Sequence, residues 1–353
     1  MSQVKVGVIG TGMMGQRHCR VYSTLRRTEL VGVCDAHHEI GAGAARQYDV
    51  PFYSQIDDLL DRVDAISLVT PTPLHFDMAM RCLAKGVHVL VEKPITETVE
   101  QAEQLTAAAE ASGLVVQVGH IERFNPAYME LKSVLEDVHV LAINLRRLSA
   151  YEASNTDVDV ILDLMIHDID LVLDLVGREP TTVSAYGLTS YSSDAIDHAV
   201  AHLHFDSGPL LTLTASRVTE QKIRSIEVTA RETYLECDLL NKNISAHRRT
   251  IGEYLNHNQR GVKYRHESIV ERIHVPIFEP LFSELQHFVD CILAGKQPSV
   301  PARDGLLALR LAKAIQTEIR EYLIKTKGRD NASSGQYDAA ELVAGPNGHR
   351  KVT

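Results

Sequence analysis

A glycine-rich turn close to the amino terminus has the residue types and spacing of a phosphate-binding segment. Gly10-Thr11-Gly12-Met13-Met14-Gly15 follows the apolar run Val4–Ile9 directly. Gly10 permits a tight turn, Gly12 lets the backbone approach a pyrophosphate, and Gly15 allows the next helix to pack closely on the strand. Unpaired N–H groups at the start of that helix favour anionic oxygens. The pattern predicts dinucleotide binding; the alternative is an ordinary strand–turn–helix without a ligand.

An acidic residue after the second apolar run indicates which dinucleotide is bound. The run Leu30–Cys34 ends in Asp35, about twenty residues past the glycine turn, where a carboxylate can accept both adenosine ribose hydroxyls. The same carboxylate would repel a 2′-phosphate, and no arginine directly follows it to hold one. The sequence therefore predicts NAD as the cofactor rather than NADP.

Polar residues at the carboxyl ends of the predicted strands form a second group, because open parallel sheets bind ligands at that edge. Lys93 follows the run Val87–Val91 and is fixed by Pro94. Partial burial and nearby positive charge would lower its pKa and make it a proton donor or acceptor. The alternative is a surface lysine paired with Glu92. The polar residues expected in this crevice are Thr70, Thr72, His75, Glu92, Lys93, His120 and Arg123.

A third group lies on a helix that the sequence predicts over about residues 158–176. Asp163, His167, Asp170 and Asp174 are spaced four, three and four residues apart, so they share one narrow stripe. One interpretation is a solvated stripe on a core helix. The other is that the stripe begins in a cleft, where Asp163 orients the imidazole of His167 and raises its basicity. Periodicity leaves both interpretations of the stripe open. For His75, too, two interpretations stay open: it contacts the cofactor, or it begins a helix.

The order of the predicted elements indicates two domains in an α/β protein. Strands and helices alternate over residues 1–122, which predicts a doubly wound parallel sheet of the Rossmann type. Over residues 123–327, successive strands without crossover helices predict an α+β domain on an open, mostly antiparallel sheet. Residues 328–353 lack periodicity and are expected to form a mobile tail.

Net charge, cysteine content and hydropathy limit the kinds of protein that this chain could be. A net charge of −10 over 353 residues argues against nucleic acid or an anionic membrane as the main partner. The five cysteines are scattered without a CxxC pair, which is typical of a reducing compartment. Neither a signal peptide nor a membrane-spanning run is recognisable, so a cytoplasmic location is expected. His202 and His204 lack a third ligand at metal spacing, and no metal is predicted.

Three motifs, taken in order, resemble the glucose–fructose oxidoreductase / inositol dehydrogenase / rhizopine-catabolism (Gfo/Idh/MocA) superfamily. They are the glycine turn, Glu92-Lys93-Pro94 and Asp163-Leu164-Met165-Ile166-His167-Asp168. The helical segments Glu284–Phe288 and Asp304–Ala314 look like that family too, so the match covers about residues 3–326. The resemblance implies a Rossmann domain and an open-sheet domain whose sheet face mediates assembly into a homodimer or homotetramer.

The resemblance also implies a catalytic group. A Lys–Asp–His set falls on Lys93, Asp163 and His167, which leaves only Asp170 and Asp174 on the solvated stripe. In the implied mechanism, His167, oriented by Asp163, takes the proton of a sugar hydroxyl while Lys93 hydrogen-bonds the developing alkoxide. Hydride passes to the nicotinamide. The roles of Lys93 and His167 are exchangeable at this level.

Within the superfamily, the segments Gly119–Pro126 and Asp163–Asp170 look most like the UDP-N-acetylglucosamine 3-dehydrogenases. This resemblance implies oxidation of a UDP-linked sugar at C3, a step toward a diamino lipid A. Three alternatives stay open: a dehydrogenase of inositol or another free sugar, an NAD-dependent glycosidase, and a non-catalytic dinucleotide sensor. The side chains expected to bind substrate are His120, Arg123, Asn125, Arg147 and His167, with Arg146 and Lys222 as further basic residues for a diphosphate.

Overall fold

The first sheet has the predicted parallel, doubly wound arrangement. The computed structural model describes residues 3–151, 158–191, 195–254 and 263–330. The strands of this sheet are β1 (Val4–Ile9), β2 (Thr28–Cys34), β3 (Phe52–Tyr53), β4 (Ala65–Leu68), β5 (His88–Glu92) and β6 (Val116–Gly119). They lie in the order β3-β2-β1-β4-β5-β6 and all neighbouring pairs are parallel. Their carboxyl ends therefore share one edge.

Helices cover both faces of this sheet, as parallel strands require. They are α1 (Met13–Tyr22), α2 (His38–Tyr48), α3 (Ile56–Leu60), α4 (His75–Ala84) and α5 (Val99–Ser112). The α5 helix shows how local sequence sets a boundary. Thr98 and Gln101 form a reciprocal capping box at its start, and Gly113 ends it with a left-handed φ of 68°.

The second sheet is mixed and mostly antiparallel. It follows α6 (Pro126–Leu135) and contains β7 (Val140–Leu148), β8 (Thr182–Leu188), β9 (His198–His204), β10 (Leu210–Ser216), β11 (Ile223–Ala230), β12 (Thr233–Asp238), β13 (Asn243–Tyr254) and β14 (Lys263–Ile273). The order is β14-β13-β12-β11-β7-β10-β9-β8, and among these strands β7 and β10 are the parallel pair. A π-helical turn, Ile161–Met165, leads into α7 (Ile166–Val176). The predicted fold class is confirmed.

Two carboxy-terminal helices, α8 (Pro280–Ala294) and α9 (Ala302–Asp330), join the domains. The sequence order suggests that both close the second domain, but α8 packs on the first: Leu285 and Phe288 lie in one core with Val6 and Tyr22. The α9 helix begins in the first domain and continues against α7 and β8 of the second. Apolar faces of helices find their partners across the chain, which the order of elements does not encode.

The end of α9 falls at Asp330, inside the segment expected to be a tail. Residues 331–353 lie outside the described part of the chain. None of the described helices combines the length and the apolar character that a membrane crossing needs.

Candidate active site

Lys93 stands at the carboxyl end of β5 and reaches the second domain. Its Nζ donates a hydrogen bond to the backbone carbonyl oxygen of Asp163 over 2.8 Å and lies 3.6 Å from Oδ1 of that residue. Burial lowers the pKa of Lys93, while the carboxylates of Asp163 and Glu92 oppose that effect without cancelling it. The ammonium is therefore partly desolvated and held by one carboxylate.

Asp163 faces Lys93 rather than the imidazole of His167. It lies in the π-helical turn, whereas His167 lies in the first turn of α7. Such a turn contains an extra residue and changes the angle between side chains before and after it. Nδ1 of His167 is buried without a hydrogen-bond partner among the described residues. The expectation that Asp163 orients this ring was wrong, because it assumed a regular α-helix.

Two histidines lie side by side near Lys93. The rings of His120 and His167 are 6.5 Å apart and nearly perpendicular. Burial lowers the pKa of His167 well below its usual value, and the positive charges of Lys93 and Arg147 add to this. Burial also lowers the pKa of His120, whose two ring nitrogens have no hydrogen-bond partner among the described residues. Both rings are neutral at neutral pH.

Arg147 is enclosed by carboxylates. Its guanidinium donates to Oε1 of Glu122 over 2.9 Å and to Oδ1 of Asp168 over 2.7 Å, and the residue is 1% exposed. Arg224 adds a bond of 3.2 Å to the same oxygen of Glu122. Arg147 thus anchors α7 on β7, and its assignment as a substrate ligand stays a prediction. The sequence showed the basic residue but not the acidic partners.

Arg123 is also paired with carboxylates, two of which are Asp170 and Asp174 of the acidic stripe on α7. Its guanidinium bonds Asp170 at 2.7 and 2.8 Å, Asp174 at 2.7 Å and Asp304 at 3.2 Å. Asp170 is 1% exposed. The solvated stripe expected for Asp170 and Asp174 is therefore an internal clamp that ties the 3₁₀ turn Ile121–Phe124, just after β6, to α7 and α9. These carboxylates engage the donors of Arg123, and its role as a substrate ligand stays a prediction.

Other residues expected at the substrate also have structural roles. Asn125 caps α6 by accepting from Ala127 N, and its amide donates to Glu122 and to the carbonyl of Leu239. Arg146 and Lys222 line a cavity of about 270 Å³ on the second sheet, together with acidic residues and without Lys93 or His167. The structure thus places His120 and His167, but not Asn125, beside Lys93.

The glycine turn has the geometry that a pyrophosphate needs. Gly10 has a φ of 88°, and a Cβ there would lie 2.5 Å from the carbonyl oxygen of Val69. A Cβ on Gly15 would lie 1.9 Å from the carbonyl oxygen of Gly10, so the helix could not approach as it does. Around Gly12 the space is open. Met13, which is 76% exposed, and Met14 begin α1 at this point. The backbone is free for a phosphate at the helix start.

Asp35 is bound to the glycine turn. Its Oδ2 accepts from the N–H and the hydroxyl of Thr11 at 2.7 and 2.8 Å, and its Oδ1 accepts from His37 N at 2.8 Å. Burial raises the pKa of Asp35, but these hydrogen bonds outweigh it and hold the pKa below the usual value. An ionised carboxylate with spare lone pairs therefore sits where an adenosine ribose would be recognised.

The remaining residues predicted for the crevice make contacts within the first domain. The ring nitrogens of His75 lie 2.8 Å from the carbonyl oxygens of Thr70 and Pro94, so His75 ties two loops together as it begins α4. Thr72 begins a short 3₁₀ turn in the same loop. Glu92 is hydrogen-bonded to His18 on α1.

In the described residues, no cluster of three or more His, Cys, Asp or Glu side chains could hold a metal ion.

Comparison with known proteins decides the family. Residues 4–120 match a model described as an oxidoreductase family with an NAD-binding Rossmann fold, and residues 145–236 match a GFO/IDH/MocA C-terminal domain. The chain belongs to the GFO/IDH/MocA oxidoreductase family. The predicted family and the predicted NAD-binding domain are both confirmed. In this member, Lys93 of the second motif contacts Asp163 of the third, and its charge also acts on His167 of the third, where the two domains meet.

Relatives of this GFO/IDH/MocA protein act on sugars and inositols. A UDP-N-acetylglucosamine 3-dehydrogenase from Acidithiobacillus ferrooxidans is 32% identical over 323 residues, which are 92% of this chain and 99% of that enzyme. A solved structure of that enzyme has a TM-score of 0.82 at 31% identity, covering 92% of this chain and 100% of its own. An NAD-dependent scyllo-inositol 2-dehydrogenase from Bacillus subtilis is 26% identical over 90% of this chain and 94% of its own length.

Proposed function

We propose that this NAD-binding oxidoreductase oxidises a secondary hydroxyl of a nucleotide sugar, namely C3 of UDP-N-acetylglucosamine, to the 3-keto sugar. The observation that carries the proposal is the meeting of Lys93 with Asp163 and His167 at the domain junction. A bound NAD supplies the hydride acceptor. Gly12, the amino terminus of α1 and Asp35 fit its pyrophosphate and ribose.

The protonation states suggest a division of labour. His167 is neutral because its pKa is strongly lowered, so it has a lone pair to accept the hydroxyl proton. Lys93, held beside Asp163, is the ammonium that hydrogen-bonds the oxygen as negative charge develops on it. Asp163 supports Lys93 in this scheme instead of orienting the imidazole. His120 limits the room around His167 and contributes a second neutral ring.

The nucleotide-sugar assignment is supported by the relative at 32% identity, whose length is matched almost completely. A second candidate, an inositol dehydrogenase, is supported by relatives such as those from Bacillus subtilis and Rhizobium meliloti, each 26% identical. Both candidates share the proton acceptor and the ammonium. They differ in whether binding requires a nucleoside diphosphate.

The experiment is to mix the protein with NAD and follow NADH absorbance with UDP-N-acetylglucosamine, free N-acetylglucosamine, scyllo-inositol and myo-inositol. The expected result is NADH formation with the UDP-sugar and less than a hundredth of that kcat/KM with each free compound. Product analysis should then find a ketone at C3. Oxidation confined to inositols would refute the nucleotide-sugar assignment. Release of free sugar without NADH accumulation would identify an NAD-dependent glycosidase.

We further propose that copies of the chain assemble through the second sheet, as a homodimer or homotetramer. Tyr186, Leu188 and Leu210 are exposed on its strands and alternate with residues that point into the core. Light scattering during gel filtration tests this. An Asp in place of Leu210 should shift the assembly toward monomer, and a monomeric wild type would end the proposal.

A further inference from the structure

One face of the first sheet carries polar side chains inside an otherwise apolar core. Ser67 on β4 pairs with Leu90 on β5, Leu90 pairs with Gln117 on β6, and Glu92 pairs with Gly119. Paired residues lie on the same face, and so do residues two apart on one strand. Ser67, Glu92 and Gln117 therefore share this face. The helices α1 and α8 pack over it.

A chain of hydrogen bonds connects α1 to Glu92. The hydroxyl groups of Tyr22 and Ser67 are 2.8 Å apart, and Nδ1 of His18 is 3.1 Å from the Ser67 oxygen. Nε2 of His18 is 3.1 Å from Oε1 of Glu92, and Oε2 of Glu92 accepts from the backbone N–H of Lys93 at 3.2 Å. Both carboxylate oxygens of Glu92 thus have a partner. A Cβ on Gly119 would lie 2.9 Å from this carboxyl group, so the glycine makes its position possible.

A second carboxyl group, that of Glu284 on α8, lies in the same core. Glu284 is 0% exposed, and neither of its oxygens has a hydrogen bond among the described residues. Oε1 of Gln117 is buried and unpaired as well, although Nε2 of Gln117 reaches the backbone oxygen of Glu284 at 3.3 Å. An ionised Glu284 would add two further acceptors to a place that already lacks donors. A protonated Glu284 supplies the missing O–H.

We propose that Glu284 is a neutral carboxylic acid whose O–H is the donor available to the unpaired Oε1 of Gln117. Its neutrality leaves the negative charge on Glu92, which together with His18 positions Lys93. Two interacting buried carboxyl groups do not both ionise, so the pair carries a single negative charge. His18 and the backbone of Lys93 place that charge on Glu92. The inference deepens the proposed function, since it rests on Lys93 acting as an ammonium there.

Electrostatics agree with this assignment. Burial raises the pKa of Glu284 well above its usual value, and the negative charges of Glu92 and Asp170 raise it further. Burial also raises the pKa of Glu92, but the bond from His18 and the charge of Lys93 outweigh it and bring that pKa below its usual value. The titratable or charged groups from the surrounding elements that interact with this pair are His18, Tyr22, Lys93, His120 and Asp170.

The test needs no substrate. An acid with a raised pKa in the folded state binds a proton that the unfolded chain has lost, so it makes the protein less stable as pH rises above 4.5. Glu284→Gln keeps the shape and a donor but cannot ionise. Its Tm minus that of the wild type should increase by about 2 °C or more between pH 4 and pH 9. A difference that stays level or falls with pH would overturn the proposal.

The matched control is Glu110→Gln, an exposed glutamate on α5, whose Tm difference should not grow with pH. If Glu284→Gln does not fold, Glu284→Met gives the same comparison, since it is also neutral and of similar length. The infrared carbonyl band of a protonated carboxylic acid provides a direct measurement at pH 8. It should weaken in the neutral variant, and an unchanged band would contradict the proposal.

A kinetic measurement separates positioning from mere packing. Glu284→Met removes the donor and should lower kcat about 10-fold. Glu284→Gln keeps a donor and should retain at least half of the wild-type kcat. In both variants the KM for NAD should stay within about twofold of the wild-type value. An equal loss of kcat in the two variants would show that Glu284 only fills space, and would overturn the proposal that it helps to position Lys93. If the protein oxidises no sugar at all, the proposed function fails while the stability result stands.

Discussion

The ammonium group of Lys93 donates a hydrogen bond to the backbone oxygen of Asp163, 70 positions later in the chain, over 2.8 Å. The same residue's carboxylate lies 3.6 Å away. This contact joins the end of β5 to the π-helical turn before α7, and so it joins the cofactor-binding domain to the second domain. The charge of Lys93 therefore depends on a partner that the second domain supplies.

Replacing Lys93 by methionine should remove the stabilisation of the alkoxide while keeping most of the side-chain volume. We expect kcat/KM for the sugar to fall about 10²- to 10⁴-fold, with NAD affinity changed only a few-fold. Steady-state NADH formation and NAD titration by fluorescence measure the two quantities. Lys85→Met, at an exposed lysine on the surface, is the control and should retain activity. A fully active Lys93→Met would remove the lysine from the mechanism.

The pH dependence of kcat/KM distinguishes the two assignments of the base. If His167 accepts the proton and Lys93 stays charged, activity requires a neutral imidazole and an ammonium. The acid limb should then lie below pH 6.5, and activity should decline with an alkaline limb below 10.5, because burial lowers both pKa values. If Lys93 were the base, activity would rise through that upper limb. Stopped-flow measurement of the hydride-transfer rate over a series of pH values shows whether activity falls or rises through the alkaline limb.

Asp163→Asn tests the electrostatic link at the centre of the site. The backbone hydrogen bond to Lys93 remains available, but the carboxylate that raises the pKa of Lys93 is gone. We expect the alkaline limb to move to lower pH, with a smaller effect on kcat at the plateau. Asp163→Glu should leave the limb nearer that of the wild type. An unmoved limb in Asp163→Asn would show that the carboxylate does not act on Lys93.

Asp35→Ser should change the choice of dinucleotide. The variant loses a charged acceptor for the ribose, so KM for NAD should rise about 10-fold. It also loses the charge that repels a 2′-phosphate, so the kcat/KM ratio of NADP to NAD should rise about 100-fold. Glu39→Gln removes an exposed acidic charge in the first turn of α2 and is the control. An unchanged ratio in Asp35→Ser would contradict the assignment of Asp35 to the ribose.

Arg147→Met tests the buried ion cluster. The substitution leaves Glu122 and Asp168 without their main positive partner, and breaking such a buried pair costs about 3–5 kcal/mol of the free energy of unfolding. Urea denaturation measures this cost. Arg310→Met removes a half-exposed arginine paired with Glu103 and should cost less than about 1 kcal/mol. Equal costs in the two variants would argue that the cluster is not structural.

Several parts of this site follow from short stretches of sequence. The glycine turn, Asp35 and Lys93 each stand beside a buried strand, and the carboxyl ends of parallel strands meet at one edge. Gly10 and Gly15 are fixed by backbone contacts within the turn and its neighbouring strand. Local chemistry and the order of strands and helices were therefore enough to predict the fold class, the NAD-binding domain and the position of the lysine.

The partners of the charged residues were decided by the tertiary structure alone. Arg123 and Arg147 have the character of ligand-binding residues in the sequence, yet distant carboxylates surround each of them in the fold. Asp163 and His167 have helical spacing, but a π-helical turn separates their directions. Periodicity determines which face of an element a residue occupies. What packs against that face depends on contacts between distant segments. Those contacts set the charge and the hydrogen bonding of the groups where the two domains meet.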